Sequence, residues 1–243
     1  RRMISSTNDQ WHLEPVEGTI DDLMIPDTLQ GLLLTRFDQL SSIQRRLLQV
    51  ASIIGRYFNS KLLCEVLRIT DPTLFEEILS QLIHRDIIEN HSDISNQDYR
   101  FIHVLMSDTI YSTLLTGDKT ELHGQIGDAI EALYPGQIKD YIDVLARHYF
   151  YSSNFVKALK YTKTAAKISS DNYANEQAKN YYVQAESLFS KVTHSAEDEV
   201  EVYYGLGNVN VFSANYPEAL ENFQTSKEVI LANTEYVPDG ISL

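Results

Sequence analysis

Apolar residues recur at helical spacing through most of this chain, and the places where the spacing breaks divide it into short units. Pro26-Asp27 suits a helix start with Asp27 as N-cap, and apolar side chains then fall at Leu29, Leu32, Leu33, Phe37 and Leu40. Ser41-Ser42 interrupts and caps a second helix with an apolar face of Ile43, Leu47, Leu48, Ala51 and Ile54, which Gly55 ends. A third helix is predicted from Ser60 to Arg68, carrying Leu62, Leu63, Val66 and Leu67. Asp71-Pro72 opens a fourth, with Leu74, Phe75, Ile78, Leu79 and Leu82 on its buried side. The period then changes. Ile87 to Asn90 reads as a strand, His91 to Asp98 as a polar turn, Tyr99 to Ile102 as a returning strand, and Val104 to Leu115 as a closing helix. Upstream, Gln10–Glu14 and Val16–Ile20 read as two short strands in a polar stretch.

Short helices followed by a β-hairpin are the element order of a winged helix, so a winged-helix-like unit is expected over residues 27–116. Everything after Asp118 reads helical, with Leu122, Ile126, Ala129, Ile130 and Leu133 on one face before Tyr134-Pro135-Gly136 breaks the chain. The remainder repeats. Leu145-Ala146 and Tyr149 precede Ala158 and Ala165, while Leu206-Gly207 precede Ala219 and Phe223. Leu145 to Ala158 and Leu206 to Ala219 are both 13 residues apart. Tyr173 to Ala178, with Tyr182 and Ala185, restates the second half. Small residues (Ala146, Ala158, Ala178, Gly207, Ala219) let paired helices approach. Large ones (Tyr149, Phe155, Tyr182, Tyr216, Phe223) are expected to fill the holes between pairs. The period is irregular, since Ala158 to Ala178 is 20 residues and Ala178 to Ala219 is 41. The fold class expected is mostly α: the winged-helix-like unit with one hairpin, then a degenerate tetratricopeptide-like array of α-α repeats over residues 117–243.

Charge narrows the partners. With 20 basic against 34 acidic residues, the net charge is −14, a field that repels nucleic acid and anionic membrane. Residues 28–115 hold 8 basic and 10 acidic side chains, and the third helix is mainly Leu, Val and Glu. A DNA-reading helix needs Arg, Asn or Gln there. One cysteine, Cys64, rules out an internal disulfide and reads as a small hydrophobe, and a cytoplasmic setting is expected. No apolar run is long enough to span a bilayer.

Candidate chemistry is sparse. The seven histidines form no His-Glu-x-x-His pattern, and His103, His123 and His148 sit among apolar neighbours, which suits packed, hydrogen-bonded roles. Glu76-Glu77 and Glu197-Asp198-Glu199 read as helix-surface charges, the latter set in a first turn. Gly205-Leu206-Gly207 lies in a helical repeat with no strand before it, so close helix packing is the reading. No catalytic residue, metal ligand or cofactor site is expected. Tyrosine is abundant, at 15 residues, and amphipathic rings serve interfaces as well as cores. Tyr149, Tyr181, Tyr182, Tyr203 and Tyr204 are the candidate partner contacts.

The segment Ile25-Pro26-Asp27-Thr28-Leu29-Gln30-Gly31-Leu32-Leu33-Leu34-Thr35-Arg36-Phe37-Asp38-Gln39-Leu40 resembles the stretch after the ATPase core of large bacterial signalling ATPases of the AAA/STAND type. These accompany class III adenylate cyclase, protein kinase or LuxR/MalT-like regulator domains. Gln44 to Phe58, Tyr99-Arg100-Phe101-Ile102-His103, Tyr111 to Leu115, Leu122-His123 and Leu145 to Tyr149 are similar to the same family, so the resemblance covers roughly residues 10 to 232. It implies a division of labour in which an upstream domain hydrolyses ATP, the winged helix packs on it, and the repeats sense a protein, peptide or ligand. Residues 1–26 would then be the tail of that preceding domain. No Gly-x-x-x-x-Gly-Lys-Ser/Thr phosphate loop occurs in the chain, so the expectation is a non-catalytic regulatory segment whose partners are a protein or peptide and the parent's own ATPase domain. A stand-alone repeat adaptor and a DNA-binding winged-helix regulator are the alternatives.

Overall fold

The computed structural model describes residues 3–7, 10–14, 27–91 and 98–233. The chain divides into two compact units, residues 1–40 and residues 41–243. In the first, β1 (Met3–Thr7) pairs antiparallel with β2 (Gln10–Glu14), from Met3 opposite Glu14 to Thr7 opposite Gln10. The strand expected at Gln10–Glu14 therefore forms, with a partner upstream of it. Val16–Ile20 lies outside the described residues. Helix α1 spans Asp27–Asp38.

The second unit opens with a reciprocal cap. Ser41 Oγ accepts from the Gln44 N–H, and the Gln44 side chain accepts from the Ser41 N–H at 3.0 Å, which starts α2 (Ser42–Ile54). The Gln44 amide also donates to Gln81 Oε1 at 2.7 Å. Gly55 ends the helix at φ +137°, a backbone conformation that side chains rarely adopt, with its N–H on Ala51 O. A two-residue strand, β3 (Tyr57–Phe58), leads to α3 (Ser60–Leu67), which Asn59 caps through the Leu62 N–H. Helix α4 (Pro72–His84) is capped by the Asp71 carboxylate, which accepts from the Thr73 and Leu74 N–H groups. Strands β4 (Ile88–Asn90) and β5 (Tyr99–Phe101) follow, and α5 (Val104–Thr113) stops before Leu115, which is exposed.

The small sheet runs β3-β5-β4, all antiparallel, so the strand Tyr57–Phe58 pairs on the far side of the expected hairpin. Glu89 faces Arg100 across β4 and β5 and pairs with it at 2.7 Å. Leu47, Leu48, Leu63, Leu79, Leu82, Ile88, Phe101 and Ile110 are fully buried. Each contributes about 1.5–3 kcal/mol of transfer free energy. Leu74, expected on the buried side of α4, is 41% exposed, at the edge of a stripe whose centre is Phe75, Ile78, Leu79 and Leu82.

Helix α6 (Thr116–Leu133) packs on α2 and α3 and carries the chain into the second half of the unit. After a tight 3-10 turn at Ile138–Tyr141 come α7 (Ile142–Phe150), α8 (Phe155–Asp171), α9 (Asn175–Leu188), α10 (Ala196–Phe212) and α11 (Tyr216–Ala232). Each packs on the next, and α8 also reaches α10. Three glycines set the closest approaches. A Cβ on Gly127 would overlap the Tyr149 ring, one on Gly205 the Tyr182 ring, and one on Gly207 the Phe223 ring. The Gly205–Gly207 pair thus belongs to helix packing, each residue meeting an aromatic ring of a flanking helix. Two turns repeat in register. Tyr173 (φ 59°) and Ala214 (φ 60°) are left-handed, each five residues before a buried alanine, Ala178 or Ala219. The next N–H closes back on the preceding helix in both, Ala174 on Ser169 O at 2.9 Å and Asn215 on Asn210 O at 2.8 Å. Three of the large residues expected to fill holes do so less than fully: Phe155 and Phe223 are half-buried, and Tyr216 is 64% exposed because it sits at the first turn of the last described helix.

Candidate interaction surface

The five candidate tyrosines separate by depth. Tyr149 is fully buried and Tyr182 is 5% exposed, so both are interior side chains, consumed by the glycine contacts just described. A partner at the surface cannot touch them, and their role is packing. Tyr181 and Tyr203 are half-buried and Tyr204 is half-exposed. These three do not form one patch. Tyr181 belongs to a groove between α7 and α9 of about 440 Å³, lined with Asp143, Val144, Arg147, Phe150, Tyr151 and Gln184. Tyr203 bonds Glu186 near Phe189, while Tyr204 lies 5.6 Å from the Phe223 ring. The aromatic groove residues beyond the five candidates are Phe150 and Tyr151, at the C-terminal end of α7. Their signal was weak, a pair of aromatics just where the helical pattern stops.

In that groove the Tyr181 hydroxyl is raised above its ordinary pKa, first by burial and then by the Asp143 carboxylate it bonds. Tyr151 is 54% exposed. The arrangement offers apolar ring faces with polar tips, a surface suited to a helix or an extended peptide.

Behind the groove lies a polar cluster that ties three helices together. Lys157 of α8 donates to Asp128 Oδ1 and Glu131 Oε2 of α6, both at 2.6 Å, and to the Tyr149 hydroxyl at 3.0 Å. Tyr149 in turn shares its proton between Asp128 and Glu131, at 2.9 and 2.8 Å, and Tyr161 donates to the other Glu131 oxygen. The Tyr149 and Tyr161 rings stack 5.4 Å apart. Burial pushes the Glu131 carboxyl upward, but bonds from Lys157, Tyr161 and Tyr149 outweigh it and hold its pKa below the usual range. The same two carboxylates raise Lys157 against its own burial.

A second polar line joins α2 to α6 and α7. Arg147 Nη2 donates to Ile54 O at 2.8 Å and lies 3.3 Å from His148 Nε2. A guanidinium has no acceptor, so His148 Nε2 holds the lone pair and its proton is on Nδ1. That N–H donates to His123 Nδ1 at 3.0 Å, which leaves His123 protonated at Nε2, a buried atom with no hydrogen-bond partner. Burial, then the Arg147 charge, hold His123 down at about 4 and His148 well below the usual imidazole range. Both rings are neutral at pH 7. The packed, hydrogen-bonded roles expected for His123 and His148 are filled by each other, across 25 residues of sequence. His103, expected to be packed as well, is instead exposed at the start of α5.

Cys64 is half-buried, with its thiol raised by burial and by Glu76. Glu197, Asp198 and Glu199 occupy the first turn of α10, where Asp198 completes a capping box with Ser195 and accepts from Lys163 at 2.6 Å. Among the described residues no group of three His, Cys, Asp or Glu side chains is placed to hold a metal ion. No described helix is long and apolar enough to cross a membrane. No family model matches the chain, and neither a curated protein nor a solved structure is significantly similar to it.

Proposed function

We propose that this chain is a non-catalytic regulatory segment of a multidomain signalling ATPase. In this reading residues 27–116 form a winged-helix-like unit and residues 117–243 a tetratricopeptide-like array that receives a protein or peptide partner. The observation that carries the proposal is the run of helices α7 to α11, each packed on the next through small residues, with identical left-handed turns before Ala178 and Ala219. Stacked hairpins of this kind build an extended surface from many short elements, and the α7–α9 groove lined with Phe150, Tyr151 and Tyr181 is a recess in it. Direct contact falls to Tyr181, Tyr203 and Tyr204, with Tyr149 and Tyr182 supporting them from within. The line from Ile54 through Arg147 to the histidine pair supports a route by which a load on the repeats reaches the first helices.

Translating the parent gene upstream of Arg1 tests the ATPase assignment first. A phosphate-loop sequence there supports it, and ATP turnover by that upstream domain should change severalfold when this chain is added in trans. An open reading frame that begins just before Arg1 sinks the assignment, and so does turnover indifferent to the chain. Either result leaves the stand-alone repeat adaptor.

A further inference from the structure

We propose that the cleft between the end of α2 and the α6–α7 corner is a binding site for a small planar anion, an aromatic ring or base carrying a carboxylate or phosphate. The cleft encloses about 330 Å³, at the lower end of the range for small-molecule sites. Its inner surface is apolar, formed by Phe58, Leu62 and Ile130, all buried. Above them the lining changes to Arg56 and Tyr57 on one side and Tyr134, Tyr141 and Arg147 on the other.

Two features of that lining bear on what it could hold. The chain carries an excess of acid, 34 carboxylates against 20 cations, yet neither Arg56 nor Arg147 forms an ion pair with any described carboxylate. Two acids of the surrounding elements are engaged elsewhere. Asp98, whose charge reaches Tyr134, accepts from the Ser60 N–H at 3.0 Å and from its hydroxyl, and Asp143 bonds Tyr181. Arg147 is also fixed in place. Both Nη2 protons are directed, one to Ile54 O and one to His148 Nε2, which leaves Nε and Nη1 to meet an oxyanion in the planar fork that guanidinium groups offer. These bonds hold the guanidinium before any ligand arrives, so the entropic cost of binding is lowered.

The second feature is the aromatic wall. Tyr134 and Tyr141 stack at 4.7 Å with their planes 14° apart, and the Arg56 guanidinium sits 5.4 Å from the Tyr57 ring centre. Paired flat rings beside two guanidiniums without a carboxylate partner match a ligand that is flat at one end and anionic at the other. The walls come from the β3 side and from the α6–α7 side, so an occupant bridges the first helices and the repeats. That consequence rests on the regulatory reading above, whereas the binding itself does not.

Isothermal titration of the chain with four probes tests the site. Phenyl phosphate and AMP carry both halves of the ligand, and inorganic phosphate and adenosine carry one each. The expected result is saturable binding of phenyl phosphate or AMP, at least tenfold tighter than either half, with the better of the two identifying ring or base. R56Q, at an exposed side chain, should weaken it about fivefold or more while circular dichroism stays unchanged, and Y141L should weaken the ring-bearing probes selectively. The proposal is overturned if no probe saturates at millimolar concentration, if inorganic phosphate binds as tightly as phenyl phosphate and AMP, or if both variants bind as the parent does. Such a failure leaves the upstream-ATPase test of function untouched.

Discussion

The Tyr182 ring of α9 lies so close to Gly205 of α10 that a single added methyl at residue 205 would overlap it. Alanine is the better helix former by about 1 kcal/mol, so G205A would stabilise an isolated α10. In the folded chain the overlap dominates, and a net loss of about 1–3 kcal/mol is expected. Y182A alone should cost about 3–5 kcal/mol through the cavity it leaves. The pair together should cost less than their sum, because a methyl at 205 then occupies vacated space. Urea unfolding of the four proteins measures this, and strict additivity would mean that the ring and the glycine do not constrain each other.

The histidine pair predicts acid lability with a defined sign. His123 titrates at about 4 when folded and near 6.5 when unfolded. Above pH 6.5 neither state binds the proton and nothing is lost. As the pH falls from 6.5 towards 4, the unfolded chain takes up a proton that the folded chain refuses, and stability drops by about 3 kcal/mol for this group. His148 adds to the fall. His194 works in the opposite direction, since its bond to the Val192 carbonyl and its Glu199 partner raise its pKa. The clean comparison is therefore between the parent and H123N. The variant's urea midpoint should depend less steeply on pH between 6.5 and 4, and parallel curves would remove the pair from the explanation.

The helices of the first half were legible because caps and periodicity agree there. Ser41, Asp71 and Asn59 all accept the N–H bonds that open their helices, and two of these starts were readable from residue type alone. Strand β3 was not, since two residues carry no period and Tyr57–Phe58 is a strand only because β5 presents an edge to it. The packing role of Gly205 and Gly207 was readable, but the identity of the opposing rings was not. Candidate contacts fared unevenly for a physical reason: tyrosine has the same sequence signature whether its ring fills a glycine notch, as Tyr149 and Tyr182 do, or lines a groove, as Tyr181 does. The pairing of His123 with His148 depends on how α6 meets α7, which local sequence does not encode.

Asp128 and Glu131 both meet Lys157, yet their removal should differ. The Glu131 side chain is 26% exposed and accepts from two tyrosines and the lysine, whereas Asp128 is 63% exposed. E131Q should cost about 1–3 kcal/mol, the scale for disrupting a part-buried charged hydrogen-bond centre. D128N should cost under about 1 kcal/mol, as exposed pairs do. The Glu131 contribution is present above the ordinary glutamate range and disappears as the pH falls through its depressed folded value, so the gap between the two variants should close in acid. Equal losses at pH 7 would show that the cluster is not centred on Glu131.

The repeated left-handed turns give the most direct test of the repeat register. Tyr173 and Ala214 hold φ near 60° with ordinary side chains, a conformation that costs a non-glycine residue about 1–2 kcal/mol. Glycine relieves that strain but makes the unfolded chain more flexible, an opposing effect of about 0.4–1 kcal/mol. A214G and Y173G should therefore both raise stability, each by a few tenths up to about 1 kcal/mol. Tyr173 is 78% exposed, so its removal forfeits little packing. A β-branched residue is still less tolerant of positive φ, and A214V should lose about 1 kcal/mol or more. Thermal melts of the three variants decide the matter. Stabilisation at both positions, with loss in A214V, supports one turn used twice. Destabilisation by either glycine would mean that the turn conformation at that position is not the one that the bonds to Ser169 and Asn210 require.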